Sequence, residues 1–308
     1  MNSYSNYSLK PHNTFGLDVT ADNFVEYGSV EELREAIPGL QKPMLHIGQG
    51  SNILFCGDFH GTVLHSRILD LEIVDDGPES VSVRVGSGMV WDDFVDWCVK
   101  NGLYGAENLS GIPGEVGASA VQNIGAYGAE AKAIIERVEV LDALDLERRC
   151  FDASECGYGY RDSLFKQSGG RYIVTSVLFR LSRKYRPRLD YRGIRQALGL
   201  DADAQPADLT PMQVREAVIG VRRNKLPDPA ETGSAGSYFK NPVVTALDFA
   251  RIIDTAQRDF GADVEIPHFI NPDGSIKIPA AWLIDRCGFK GSVCGGAACY
   301  EKQPLVIV

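Results

Sequence analysis

A glycine-rich stretch that is not of low complexity constrains this chain more than any other feature. It runs from Gly111 to Gly128, GIPGEVGASAVQNIGAYG, and combines five glycines with Pro113, Gln122, Asn123 and Tyr127. Because glycine has no β-carbon, it allows positive φ and lets backbone N–H groups approach a ligand closely. The stretch therefore predicts either a cradle for a phosphate or a flat ring, or a tight structural loop, and on its own it leaves both open.

A second glycine turn lies upstream, within the apolar run from residue 43 to 54, PMLHIGQGSNIL. The run is interrupted by Gly48, Gln49, Gly50, Ser51 and Asn52 and then resumes, which predicts a strand, a tight turn and another strand. It is not a dinucleotide fingerprint of the G-x-G-x-x-G type, because Ile53 occupies the third glycine position and no helical pattern follows. A phosphate-cradling turn between two strands is still physically sensible, since successive N–H groups can point into one concavity.

Composition bounds the class of protein. A chain of 308 residues is long enough for two or three domains, and a net charge of −10 argues against binding to nucleic acid or acidic membranes. The seven cysteines are scattered and show no metal-type spacing with histidine, so we expect reduced thiols and no metal. The first residues lack an apolar core of signal-peptide length and no apolar run is long enough to span a membrane. We therefore expect a cytoplasmic monomer that binds small molecules.

Periodicity and capping signals predict the secondary structure. Apolar spacing near 3.6 residues and cap residues predict helices at residues 29–37, 90–101, 191–198, 210–223, 245–260 and 280–287. Alternating or continuous apolar runs predict strands at residues 62–64, 80–86, 137–141, 171–181 and 305–308. Residues 1–15 are polar and predict an arm or a first short strand, whereas the two prolines in residues 224–232 indicate a linker between domains.

Several motifs, taken in order along the chain, resemble one known family. They are PHNTFGLD, HIGQGSNIL, LSGIPGEVGASAVQNIGAYG, YGYRDSLFK, RRNKLPDP, GSAGSYFKNP and AAWLIDRCGFKG. Their identity and order resemble the UDP-N-acetylenolpyruvoylglucosamine reductases over residues 11–308. The resemblance implies an α+β fold of the vanillyl-alcohol-oxidase or PCMH type. It divides the chain into two FAD-binding subdomains, residues 1–65 and 66–226, and a smaller α+β substrate domain, residues 227–308.

The resemblance also implies FAD and NADPH as cofactors and a hydride transfer to the enolpyruvyl ether of UDP-N-acetylglucosamine enolpyruvate. Residues Gly48 to Asn52 would hold the pyrophosphate, with side-chain hydrogen bonds from Ser51 and Asn52. The remainder of the FAD would be wrapped by Gly111, Ile112, Pro113, Gly114, Gly117, Ala118, Gln122, Asn123, Gly125, Ala126, Tyr127 and Gly128.

Two residues match the family's catalytic positions. Negative charge builds on the substrate carbon next to the carboxylate, and a fixed guanidinium there suits the carboxylate because its donors form a fork. Arg161, within YRDS, matches the arginine in that role. Ser237, within GSAGSYFKNP, matches the serine that donates the proton, and a weakly acidic hydroxyl needs a nearby cation such as Lys225 or Lys240 to do so.

Four further residues match substrate-contacting positions. Tyr191 matches the tyrosine that folds over the nucleotide sugar in the longer class of these reductases, and the others are Lys225, Asn241 and Gln303. From composition alone, Arg161 also suits a surface ion pair, Ser237 a turn or helix cap, and Tyr191 a packed aromatic side chain. The order of the motifs favours the functional interpretation.

One part of the family pattern is missing from this sequence. Family members continue past the last predicted strand into an E-P-E-V-like segment that carries a catalytic glutamate, whereas this sequence stops at Val308. Glu265 lies in the wrong place for that role. We therefore keep two alternatives to the reductase: a catalytically impaired protein that binds flavin or a nucleotide sugar, and an FAD-dependent oxidase on the same fold.

Overall fold

The computed structural model describes residues 1–201 and 208–308. Two compact units make up the chain, Met1–Asn224 and Lys225–Val308. The finer division expected from the sequence, at residues 65 and 226, stays a prediction. No helix within the described residues is long and apolar enough to cross a bilayer.

The first unit begins with a sheet of mixed direction. Its strands are β1 (Asn2–Ser8), β2 (Thr20–Tyr27), β3 (Met44–Ile47) and β4 (Phe59–Ser66), in the order β1-β2-β4-β3. Strand β1 is antiparallel to β2, whereas β2 and β3 both run parallel to β4. The crossover between β2 and β3 contains helix α1 (Val30–Ala36), which begins where the Ser29 hydroxyl accepts the N–H of Glu32 at 3.1 Å. The glycine turn therefore follows the last residue of β3.

A second, antiparallel sheet forms the larger part of the first unit. Its strands are β5 (Leu71–Asp76), β6 (Ser80–Gly86), β9 (Ile135–Asp142), β10 (Arg148–Asp152) and β11 (Tyr172–Ser182), while β7 (Gly125–Ala126) and β8 (Ala129–Glu130) form a separate small hairpin. The sheet order is β10-β9-β11-β6-β5. Val81, Val83 and Val85 alternate along β6 and are completely buried in the main core. The period of two in SVSVRVG thus sets which face of β6 packs inward.

Helices cover one face of this sheet. The helices of the first unit after α1 are α2 (Trp91–Lys100), α3 (Val116–Gln122), α4 (Leu164–Gln167) and α5 (Arg192–Ala197), followed by α6 (Pro211–Lys225). Helix α2 buries Trp91, Phe94, Val95 and Cys98, which lie on one face at helical spacing. Helix α6 begins with the predicted capping box, since Gln213 N–H donates to the Thr210 hydroxyl at 3.3 Å and Thr210 N–H donates to Gln213 Oε1 at 2.8 Å.

The second unit is small and has its own core. Its elements are β12 (Val243–Val244), α7 (Ala246–Phe260), β13 (Phe269–Ile270), β14 (Ile276–Lys277), α8 (Ala280–Arg286), β15 (Val293–Cys294) and β16 (Ala297–Ala298). Strands pair in the order β12-β14-β13, and β15 and β16 form a hairpin. Phe249 and Ala256 of α7 pack against Ile276 and Ile278, with Ile266 completing the cluster. Thr245 caps α7, as its sequence predicts, by accepting the N–H of Asp248 at 3.1 Å.

Two strand predictions are wrong. The strand expected to resume at Ile53 and Leu54 does not form: Leu54 is 45% exposed, and β4 begins only after Asp58 has accepted the N–H of Thr20 at 2.7 Å. The strand expected at residues 305–308 is reduced to isolated bridges. Val306 pairs with Ser237, and Ile307 pairs with Cys299. Because the two partners belong to different segments, neither pairing continues into the run of adjacent residue pairs that forms a strand.

Candidate functional site

The turn after β3 requires glycine at position 50. Gly50 has a φ of +68°, and a β-carbon there would lie 1.9 Å from the carbonyl oxygen of His12. The same segment also holds the turn, because Thr14 N–H donates to the Gly50 carbonyl at 3.3 Å. The close approach of this turn to the backbone of residues 12–14 therefore excludes any side chain at position 50.

The N–H groups of the turn are available to a ligand. Within residues 1–201 and 208–308, no backbone hydrogen bond is donated by Gly50, Ser51 or Asn52. Successive N–H groups around a residue of positive φ form a concavity that binds anions. The turn thus has the donor set that a phosphate or pyrophosphate needs.

The glycine-rich stretch packs directly against this turn. Gly114 N–H donates to Gln49 Oε1 at 2.9 Å, and the Ser51 hydroxyl donates to the Pro113 carbonyl at 3.3 Å. Together the two segments line a cavity of about 130 Å³, to which the glycine-rich stretch contributes Gly114, Glu115, Gly117, Ala118, Val121 and Gln122. Further walls come from His46, Ser87 and Val174. Pockets that enclose a whole drug-sized ligand measure about 300–1,000 Å³. This cavity therefore suits one portion of a larger molecule, such as the pyrophosphate of a dinucleotide.

Part of the glycine-rich stretch is helical and supports the site from behind. Helix α3 occupies residues 116–122, where no helix is predicted from the sequence. Gly117 N–H donates to the Ser87 carbonyl at 2.9 Å, and a β-carbon at Gly117 would lie 2.8 Å from that of Ser87. The glycine at position 117 is consequently required by packing, and the N–H groups of Val116 and Gly117 are already used inside the protein.

The end of the stretch forms a tight hairpin around a buried amide. Asn123 is completely buried with a φ of +42°, and its side chain donates to the Gly159 carbonyl at 2.8 Å and accepts the N–H of Lys132 at 3.1 Å. Tyr127 and Gly128, at the tip between β7 and β8, both have positive φ. Asn123 thus ties three segments together, and its predicted part in cofactor binding stays a prediction.

Arg161 lies against this hairpin. Its backbone has a φ of +57°, and its guanidinium donates to the Gly125 carbonyl and contacts the Asn123 carbonyl at 3.5 Å. The guanidinium also lies 5.4 Å from the ring centre of Tyr160. The structure thus brings the predicted charge-stabilising residue to the glycine-rich stretch, in a left-handed backbone conformation that is uncommon for a residue with a side chain.

Tyr191 contacts the tip of the same hairpin. Its ring meets that of Tyr127 edge-on, with the ring centres 5.0 Å apart, and 37% of the residue is exposed. Tyr191 immediately precedes α5, which packs through Ile194 against Val214 and Val218 of α6. The predicted substrate tyrosine and a predicted cofactor residue are therefore neighbours.

The predicted site residues of the second unit lie mainly outside its helices and strands. Ser237 is exposed, and its backbone pairs with Val306. Asn241 Oδ1 accepts the N–H of Ala280 at 3.0 Å and so caps α8. Gln303 lies in the turn that leads back to Val306. Lys225 ends α6, and Lys240 is exposed.

Arg222 belongs to the first unit's site, although the sequence analysis did not select it. Its Nε donates to the Gly111 carbonyl at 2.8 Å, and Asp92 accepts the Gly111 N–H at 2.6 Å. Arg215, two helical turns earlier on α6, forms a two-pronged ion pair with Asp92 at 2.6 and 2.9 Å. Burial lowers the pKa of Arg222, and nearby Tyr127 opposes that effect. In the sequence, Arg215 and Arg222 are seven residues apart on one predicted helix, which places them on the same helix face, and this spacing could have indicated Arg222.

Two family models match separate parts of the chain, one in each of its two compact units. Residues 21–147 match the FAD binding domain family, and residues 228–308 match the C-terminal domain of UDP-N-acetylenolpyruvoylglucosamine reductase. Within the described residues, no three His, Cys, Asp or Glu side chains are grouped to hold a metal ion.

Whole-chain comparisons give the same family. The chain is 49% identical over 305 residues to the UDP-N-acetylenolpyruvoylglucosamine reductase of Bacteroides fragilis (strain YCH46), covering 98% of this chain and 88% of the relative. It is 44% identical over 311 residues to that of Azoarcus sp. (strain BH72), covering 97% and 86%. The crystal structure of the reductase from Thermus caldophilus covers 100% of this chain and 87% of its own, with a TM-score of 0.66 and 23% identity, which shows a shared fold.

Proposed function

The chain belongs to the UDP-N-acetylenolpyruvoylglucosamine reductase family, and on that premise we propose which of its residues carry the reaction. It is an FAD-dependent oxidoreductase that uses NADPH to reduce the enolpyruvyl ether of UDP-N-acetylglucosamine enolpyruvate to UDP-N-acetylmuramate, in peptidoglycan synthesis. The predicted α+β FAD-binding fold is confirmed. The observation that carries this conclusion is an identity of 49% over 98% of the chain.

The glycine turn and the cavity fit the proposed cofactor. When bound, FAD accepts a hydride from NADPH and passes it to the substrate. We assign the pyrophosphate to the turn of residues 48–52, because Gly50, Ser51 and Asn52 present N–H groups that donate no backbone hydrogen bond among the described residues. Gly111 to Gly128 would enclose the rest of the cofactor. Arg222, fixed to the Gly111 carbonyl, holds positive charge at the start of that stretch.

Arg161 is assigned to the charge that appears only during reduction of the substrate. Its guanidinium is fixed by the Gly125 carbonyl, and it has five N–H donors, so it retains donors for a carboxylate. A cation that is already oriented costs no reorganisation when negative charge develops beside the substrate carboxylate.

Ser237 is assigned as the proton donor. Its backbone is fixed by the isolated bridge to Val306, which includes the hydrogen bond from Tyr238 N–H to the Leu305 carbonyl at 2.7 Å. Among the described residues its hydroxyl makes no hydrogen bond, which leaves the proton available to a substrate carbon. Because a hydroxyl is a weak acid, we assign the exposed Lys240, three residues on, to stabilise the alkoxide.

The remaining assignments concern substrate contacts, the location of the protein in the cell and its oligomeric state. We assign Tyr191, Lys225, Asn241 and Gln303 to substrate contacts, although Asn241 also caps α8. A net charge of −10 supports a protein that binds small molecules and neither nucleic acid nor acidic membranes. We propose that it acts as a cytoplasmic monomer.

The half-reactions test these roles separately. In Ser237→Ala, reduction of the bound flavin by NADPH should proceed at the wild-type rate, whereas its reoxidation by the enolpyruvyl substrate should slow at least about 100-fold, as expected on loss of a general acid. Stopped-flow absorbance under anaerobic conditions measures both rates. Ser292→Ala, an exposed serine of the same unit, serves as the control. Unchanged reoxidation in Ser237→Ala would remove Ser237 from the proton-donor role.

A further inference from the structure

One charged residue lies within the otherwise uncharged stretch from Gly111 to Gly128. This residue, Glu115, is buried together with His65 of β4, and each side chain is 7% exposed. His65 Nε2–H donates to Glu115 Oε1 at 2.8 Å. Neither residue is required by the assignments above, and the desolvation cost of burying such a pair is offset only by good geometry and by hydrogen bonds to its remaining polar atoms.

The second carboxylate oxygen of Glu115 faces the glycine turn. Glu115 lines the cavity together with Gly48 to Ile53, and a β-carbon built on Gly48 would lie 3.1 Å from Oε2. In the described part of the chain no hydrogen bond reaches this oxygen. A carboxylate oxygen in a cavity wall needs a donor, and within this cavity a ligand is placed to supply one.

We propose that Glu115 is a further cofactor-binding residue, whose Oε2 accepts a hydrogen bond from a hydroxyl group of bound FAD while His65 holds its Oε1. This inference rests on the proposed function, because it takes FAD as the occupant. A phosphate is excluded as the partner of Oε2, since both groups are anionic. The ribityl and ribose hydroxyls of FAD are neutral donors, so Glu115 marks the part of the cavity that receives the sugar portion next to the pyrophosphate turn.

His65 compensates the charge of Glu115. Burial lowers the pKa of His65, but Glu115 and the neighbouring Glu26 raise it by more, so the net shift is upward. Glu26 Oε1 lies 3.5 Å from His65 Nδ1. Among the described residues, the other charged or titratable groups that face this pair are Arg67, which is 3.9 Å from Glu26, and three groups whose pKa values are shifted by burial. Burial lowers the pKa values of His12 and His46 and raises that of Tyr27.

This arrangement makes FAD affinity depend on pH. Burial raises the pKa of Glu115, and the hydrogen bond from His65 opposes that effect. While His65 is protonated and Glu115 is ionised, the pair is neutral beside the anionic pyrophosphate. When the pH rises through the upward-shifted pKa of His65, the positive charge is lost and an uncompensated Glu115 carboxylate remains next to the bound anion. The dissociation constant of FAD should therefore rise with pH above the ordinary histidine range, which is centred at about 6.5.

Titration of apoprotein with FAD, followed by quenching of flavin fluorescence, tests the inference. Glu115→Ala should weaken FAD binding by about 10-fold or more, because a hydrogen bond to a charged acceptor is lost. Glu115→Gln, which keeps an acceptor but no charge, should lie between Glu115→Ala and the wild type. His65→Gln keeps a donor to Oε1 but cannot titrate, so its FAD affinity should no longer change with pH. Glu72→Gln, on the exposed strand β5, is the matched control.

Two results would overturn the inference. If the wild type binds FAD and Glu115→Ala binds it equally tightly, Glu115 makes no cofactor contact. If His65→Gln keeps the wild-type pH dependence, His65 is not the compensating charge. Thermal unfolding of each apoprotein identifies variants that fail to fold. A wild type that does not bind FAD at all would instead refute the proposed function, so the two failures are distinguishable.

Discussion

Replacing Gly50 by alanine should weaken both the fold around the turn and the binding of FAD. The substitution forces a side chain into a left-handed backbone conformation, φ +68°, and places a β-carbon 1.9 Å from the His12 carbonyl oxygen. The first effect costs about 1–2 kcal/mol. The atoms that this β-carbon would meet are backbone atoms of His12 and Asn13, which no side-chain rotation can move away. The turn itself must therefore move, which adds about 1–3 kcal/mol by analogy with overpacked sites.

Gly16 provides a matched control for the backbone term. Its φ is +67°, but a β-carbon there would meet nothing within 4 Å. Gly16→Ala should therefore lose only the conformational cost, about 1–2 kcal/mol, and keep wild-type affinity for FAD. The difference between the two variants isolates the effect of displacing the turn.

The assay combines urea unfolding of the apoprotein with FAD titration. Gly50→Ala should lose about 2–5 kcal/mol of unfolding free energy and bind FAD at least about 10-fold more weakly, since displaced N–H groups no longer converge on the pyrophosphate. If Gly50→Ala destabilises the protein but binds FAD as tightly as Gly16→Ala does, the turn is not the pyrophosphate site.

Three further predictions concern the same unit. Arg161→Ala should slow reoxidation of the flavin by substrate more than its reduction by NADPH, and equal slowing of both steps in stopped-flow traces would contradict its assignment. Asp142→Asn should cost about 2 kcal/mol of unfolding free energy at pH 7, because its buried carboxylate is paired with two arginines. Hydrogen bonds from Arg171 hold the pKa of Asp142 far below its usual range, so this stabilisation is present above about pH 4 and is lost as the pH falls further. If the wild type and Asp142→Asn differ by the same unfolding free energy at pH 7 and at pH 3 in urea, this explanation is refuted. Arg215→Ala should leave Asp92 without its ion pair and so loosen the start of the glycine-rich stretch. The amide hydrogen of Gly111 should then exchange faster, and FAD titration should show weaker binding.

Features encoded by short-range patterns were predicted from the sequence. The capping boxes at Ser29 and Thr210 place helix starts within one residue, because the cap is a contact between residues three apart. Strand β6 was predicted with its correct bounds, since one of its faces is buried along its whole length. Strand β5 was missed for the opposite reason: it is an edge strand, and Ile73 and Val74 are both nearly half exposed.

Features that depend on contacts between distant segments were not predicted. The sequence marks Gly117 as permissive, but only the fold shows that Ser87 forces the choice. Likewise, Glu115 is visible in the sequence as a lone charge, whereas its partner His65 lies 50 residues away on another element. Asn241 matches a substrate position in sequence, and the structure adds that it caps α8.

An anaerobic experiment shows whether this chain passes a hydride from NADPH to the enolpyruvyl substrate. The flavin of the purified protein is first reduced with NADPH, then UDP-N-acetylglucosamine enolpyruvate is added, and the absorbance of oxidised flavin is followed. A chain with the proposed residues should return rapidly to the oxidised spectrum and form UDP-N-acetylmuramate. Flavin that is reduced by NADPH but stays reduced after the substrate is added would contradict the assignment of this chain as a working reductase.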